Sequence, residues 1–128
     1  MNLVELTEFD FHPRITHSKG VSLVMFSGPD CGNCRRLEKL LPPLAAGRVA
    51  HLYKVDIQTS TALAREYEVF HLPSLFLFAD GRFHAPLHAE PTPERFSAAI
   101  ARALNEPARH EFFPVCIRAV LRGTVHSA

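Results

Sequence analysis

The 128-residue chain has no tryptophan, and only two tyrosines, two methionines and three cysteines. No apolar run in it approaches the ~18 residues of a membrane-crossing helix, so no membrane segment is expected. Basic residues exceed acidic ones by a formal charge of only +1, which removes the electrostatic case for nucleic acid as a partner. The opening Met1-Asn2-Leu3-Val4-Glu5-Leu6 lacks the basic-then-apolar pattern of a secretory signal, so a cytoplasmic location is expected. Internal repeats and low-complexity stretches are missing too. What is present is the material of a core. Apolar residues make up 47% of the chain, ten phenylalanines among them, which suits one folded domain and not a disordered segment. Eight histidines make the net charge pH-sensitive, clearly cationic near about pH 6.

Two of the three cysteines stand together in Cys31-Gly32-Asn33-Cys34. The apolar run Val21–Phe26 before them reads as a buried strand, and Arg35 to Leu41 after them reads as a helix. A cysteine pair at such a strand-to-helix turn sits where helix N-terminal N–H groups and the helix dipole favour a thiolate. The second cysteine lies about one turn beyond the first, within disulfide reach, which is the layout of a dithiol/disulfide exchanger. The opposing reading of a CxxC is half a zinc site. Zinc takes four ligands, and neither a second CxxC nor a spaced Cys/His pair is available, so no metal is expected.

The remaining punctuation gives the organisation. Leu3–Leu6 is a strand candidate, and Thr7–Lys19 a short helix weakened by Pro13 and ended by Gly20. The helix after the cysteines should stop at Leu41, before Pro42-Pro43, with Leu37, Leu40, Leu41 and Leu44 as its buried stripe. His51–Ile57 is a second central strand. Ser60–Tyr67 is a helix with Ala62, Leu63, Ala64 and Tyr67 inward. Ser74–Phe78 and Arg82–Ala89 form a hairpin about Asp80-Gly81, and Pro86 marks the second strand as an edge. Thr92-Pro93-Glu94 starts a last helix, whose inward face is Phe96, Ile100 and Leu104. The expected fold class is α/β, a mixed sheet with helices on both faces and the cysteines at the carboxyl end of a central strand.

These residues together resemble the thioredoxin family. The match runs in order through Leu23-Val24-Met25-Phe26, the CxxC, Tyr53-Lys54-Val55-Asp56, Glu66-Tyr67-Glu68-Val69, Leu72-Pro73-Ser74 and Ala79-Asp80-Gly81-Arg82, over roughly residues 3–105. The resemblance implies a thioredoxin fold over residues 1–106, with residues 107–128 as a C-terminal extension. It implies that Cys31 attacks a disulfide of a client protein and that Cys34 resolves the mixed disulfide. It makes Pro73 the counterpart of a cis-proline, with the backbone of Leu72 pairing with the client and His88 and Ala89 on the other groove wall. No bound cofactor is implied; a thiol reductase or glutathione would supply the electrons.

The chain also departs from the family. Met25 stands where the family carries a buried acid that moves the proton of the resolving cysteine, and Lys54 matches that acid's lysine partner. Lys54 is then expected as a lone cation that either favours thiolate or turns to solvent. Asp30 replaces the tryptophan before the first cysteine and opposes thiolate by like charge, and Asn33 replaces a proline. Asp30, Gly32, Asn33, Lys54 and His71 thus form the expected surroundings of the pair. His71, His88 and Glu90 re-specify the groove; a histidine there either shuttles protons or simply faces solvent. Cys116 is either a third redox thiol or a small buried side chain beside Val115 and Ile117. The tail, with Phe112, Phe113, Val120 and Leu121, should pack on the domain, join a second copy or bind a partner. The alternative to a reductase is a binding or assembly module with little turnover.

Overall fold

The computed structural model describes residues 1–109. The elements run β1 (Val4–Leu6), α1 (Phe11–Thr16), β2 (Val21–Ser27), α2 (Gly32–Ala45), β3 (His51–Asp56), α3 (Thr61–Glu66), β4 (Ser74–Ala79), β5 (Arg82–Leu87) and α4 (Pro93–Asn105). The five strands form one sheet in the order β1-β3-β2-β4-β5. β1, β3 and β2 are parallel, whereas β4 and β5 run antiparallel. β2 is central, and every residue of Leu23–Phe26 is buried, which is why this strand reads as a continuous apolar run. β5 is an edge, so Pro86 costs no interior ladder bond.

Alternation along the strands divides the core in two. Val24, Phe26, Tyr53, Val55, Phe76 and Phe78 face Phe11 and Ile15 of α1, Leu63 and Ala64 of α3, and Tyr67 just beyond it. Leu23, Met25, Leu52, Leu75 and Leu77 face Leu41, Leu44 and Ala45 of α2 and Phe96 and Ile100 of α4. The β4–β5 hairpin closes with Asp80 at φ 52° and Gly81 at φ 83°, the doubly left-handed turn that fits strand twist. A Cβ on Gly81 would come 2.7 Å from the Thr16 carbonyl oxygen, so the residue is required for space as well as for φ.

Four local expectations are corrected. First, α2 does not stop at Leu41; it runs through Pro42 and Pro43, and the Ala46 N–H still reaches the Pro42 carbonyl at 3.1 Å. Two prolines forfeit two backbone bonds, but their fixed φ is compatible with a helix. Buried Leu41, Leu44 and Ala45 hold the turns on either side of the pair against the sheet. Second, Leu40 is exposed, because the buried stripe passes through Leu37, Leu41 and Leu44. Third, α1 occupies only Phe11–Thr16; the chain before it is tied by the Asp10 carboxylate, which accepts from the Thr7 N–H at 2.7 Å. Pro13 then falls in the first turn, where no N–H is needed. Fourth, Ala62 faces solvent on α3, with Ser60 and Tyr67 at its caps. β3 and β5 also end earlier than expected, at Asp56 and Leu87.

Candidate functional site

The site begins where β2 ends. Ser27 closes the strand, Gly28-Pro29-Asp30 crosses its carboxyl end, and Cys31 caps α2 in an extended conformation. Cys31 Sγ accepts the Cys34 backbone N–H at 3.1 Å, so the sulfur itself takes the place of a capping oxygen. The same N–H would stabilise a Cys31 thiolate when the pair is reduced. Cys31 and Cys34 form a disulfide with Cα atoms 5.1 Å apart. Cys31 is partly exposed, whereas Cys34 is fully buried. Gly32 and Asn33, between them, face solvent. Arg35 pins the approach: its Nη1 donates to the Pro29 carbonyl at 2.8 Å. Asp30 is exposed on that loop.

The second element arrives through the sheet. Ser74, the first residue of β4, pairs with Phe26 of β2, so the segment before it lies beside the cysteine loop. The Leu72–Pro73 peptide bond is cis. The Leu72 side chain turns inward under the loop, and a Cβ on Gly28 would lie 2.9 Å from Leu72 Cδ1. Gly28 therefore permits the close approach of the two segments. The Ser74 hydroxyl donates to the His71 carbonyl and ties the turn from within.

Beside Pro73 opens a groove of about 600 Å³. Of the residues expected there, His71, Pro73, His88 and Ala89 line it together, while the partly buried Leu72 side chain packs against the cluster behind them. Glu90 faces a neighbouring hollow, where its carboxylate accepts from Arg95 Nη1 at 2.9 Å. Lining residues that were not expected include Leu37, one turn beyond Cys34, and Phe70, 82% exposed at the rim. Phe70 stood next to His71 in the sequence, but nothing in its spacing distinguishes a rim position from a core one.

Lys54 corrects the expectation most sharply. It is not a lone cation: its Nζ donates to Glu38 Oε1 at 3.1 Å, and both side chains are mostly buried. Lys54 lies opposite Met25 in the β2–β3 register, on the sheet face that α2 covers. Met25 is fully buried in the aliphatic cluster. A carboxylate is thus present near Lys54, but it comes from α2 and not from β2. Glu38 went unnoticed although it stands four residues after Cys34, a spacing that places both on one helix face.

Among the described residues no group of three or more His, Cys, Asp or Glu side chains is placed to hold a metal ion. No helix among them is long and apolar enough to cross a membrane. Cys116 and the apolar set from Phe112 to Leu121 lie outside the described residues.

The comparisons with known proteins agree with this geometry. The family model described as Thioredoxin matches residues 2–102. Thioredoxins of Staphylococcus aureus strains Mu50 and MW2 are each 35% identical to the chain over 85 residues, covering 64% of it and 79% of the relative. Among solved structures, the zinc-bound form of human ERp44 superposes with a TM-score of 0.67 at 15% identity. That match covers 79% of this chain but only 31% of ERp44, and it is a likeness of fold.

Proposed function

The chain belongs to the thioredoxin family, and on that footing we propose that it reduces or exchanges disulfides of a client protein through the Cys31–Cys34 dithiol. The observation that carries the reading is the asymmetry of the pair. Cys31 is accessible and stabilised by a backbone N–H, while Cys34 is buried one turn behind it. The first thiolate attacks a client disulfide and forms a mixed disulfide. Cys34 then attacks Cys31 Sγ, the client leaves as a thiol, and the protein is left oxidised in the form described here. An extended client strand would lie along the groove, its backbone beside Leu72 and Pro73 and its side chains against Phe70, His71, His88 and Ala89.

The remainder of the proposal is coarser. The domain comprises residues 1–106, and residues 107–128 serve as a contact element for a second copy or the client. The protein acts in the cytoplasm, is recycled by a thiol reductase or glutathione, and needs no bound cofactor. Met25, apolar where the family carries an acid, favours a second reading, in which the fold serves as a binding module with slow turnover.

Reduction of insulin by the protein, with dithiothreitol as electron source, separates the two. Turnover should be abolished in Cys31→Ser, a loss of at least about a thousandfold. Cys34→Ser should accumulate a mixed disulfide instead. Wild-type turnover no faster than that of Cys31→Ser would leave the binding module.

A further inference from the structure

We propose that Glu38, held by Lys54, is the group that takes the proton from Cys34 when Cys34 resolves the mixed disulfide. The inference rests on the exchange reading above and adds to it the residue on which the second step depends.

The need arises from burial. Cys34 is fully buried, and its thiol must lose a proton before it can attack Cys31. An apolar setting disfavours thiolate, and a buried thiol has no water to take its proton. β2, the strand leading to the pair, offers no base: Met25, on the face toward α2, is apolar and fully buried. Glu38 follows Cys34 by four residues on α2, which brings their Cβ atoms within about 6 Å on one face of the helix. Its carboxylate is drawn inward by Lys54 at 3.1 Å, with 28% of the Glu38 side chain and 23% of the Lys54 side chain exposed. A glutamate on a helix surface with nothing to hold it would extend into water. This one is held toward the sheet that carries Met25.

The other charged groups around the pair can be placed. From β1, Glu5 stands in register with Lys54 on the same sheet face and is exposed. From the end of β3, Asp56 is engaged by the Gln58 N–H at 2.8 Å. On α2, Arg35 is committed to the Pro29 carbonyl, and Arg36 and Lys39 face solvent. Asp30 lies on the exposed loop. Among these carboxylates Glu38 alone shares the helix face of Cys34. Lys54 acts as a positioning residue: it fixes where the carboxylate lies.

The step balances. The Cys34 thiol gives its proton to the Glu38 carboxylate, and the resulting thiolate attacks Cys31 Sγ. The Cys31–Cys34 bond forms as the bond from Cys31 to the client sulfur breaks. The departing client thiolate takes up a proton, which returns Glu38 to its charged form through solvent. The client disulfide gains two electrons overall, and the dithiol loses them.

Stopped-flow reaction of the reduced full chain carrying Cys116→Ser with the aromatic disulfide 5,5′-dithiobis(2-nitrobenzoate) reads the two steps apart. Attack by Cys31 releases one coloured thiolate, and attack by Cys34 on the mixed disulfide releases the second. In Glu38→Gln the first phase should stay within about twofold of the parent, while the second slows by about tenfold to a hundredfold near pH 7. The deficit should shrink above about pH 9, where a thiol ionises without help. Lys54→Met should slow the second phase less, and Glu38→Asp should recover part of it. If Glu38→Gln does not fold, Glu38→Asp must slow the second phase alone. An unchanged second phase in folded Glu38→Gln across that pH range would overturn the inference and leave the exchange reading standing. Absence of a second phase in the parent would overturn both.

Discussion

The two faces of the sheet are built from different side chains. The side toward α1 and α3 holds Phe11, Phe26, Tyr53, Tyr67, Phe76, Phe78 and Phe83, with ring centroids mostly 5.5–6.1 Å apart in edge and tilted contacts. Under α2 and α4 the cluster is Leu, Ile, Val, Ala and Met, with Phe96 as its one aromatic residue. The aromatic side is closed by a buried hydrogen bond of 2.6 Å between the Ser18 and Tyr53 hydroxyls. The aliphatic side carries the chemistry: the helix that begins at the cysteine pair lies on it, and the Lys54–Glu38 pair enters at its margin. Ring packing over large, rigid surfaces stabilises one side, and the other is left to position a reactive helix. Aromatic packing is thus concentrated on one side of the sheet and the reactive helix lies on the other, while the groove beside Pro73 is lined from both, by Tyr67 and Phe76 and by Leu75 and Leu87.

The largest stability effect should come from breaking the aromatic side. Phe11 is fully buried, contacts Tyr67 and Phe78, and does not line the groove. Phe11→Ala should cost about 3–5 kcal/mol in chemical denaturation. The folded fraction should react with a small disulfide at the parental rate; a large loss of that rate in the folded state would mean that the two sides are coupled.

A smaller effect, of opposite sign, is expected on the aliphatic side. Pro43 is exposed in the last turn of α2, and alanine there would restore the backbone bond to the Lys39 carbonyl. Pro43→Ala should stabilise the protein by about 1 kcal/mol, less than the full proline penalty because the flanking leucines already hold the helix. A destabilised variant would show that α2 is shaped by its prolines, and not held in spite of them.

Much of this was legible in the chain because it is local. The Asp80-Gly81 hairpin, the buried run of β2, the Thr92-Pro93 helix start and the cysteine pair each declare themselves within a few residues. What was not legible depends on packing between distant segments. The continuation of α2 through Pro42-Pro43 is decided by Leu41, Leu44 and Ala45 meeting the sheet, against the local rule. The partner of Lys54 is sixteen residues away on another element, so Lys54 looked unpaired until the fold joined them.

Under the proposed exchange the accessible sulfur attacks and the buried one resolves. Brief alkylation of the fully reduced chain with iodoacetamide near pH 7, followed by peptide mapping, tests it directly. Cys31 should carry the label while Cys34, fully buried, is modified at least about tenfold more slowly. Equal labelling of the two, or faster labelling of Cys34, would contradict it.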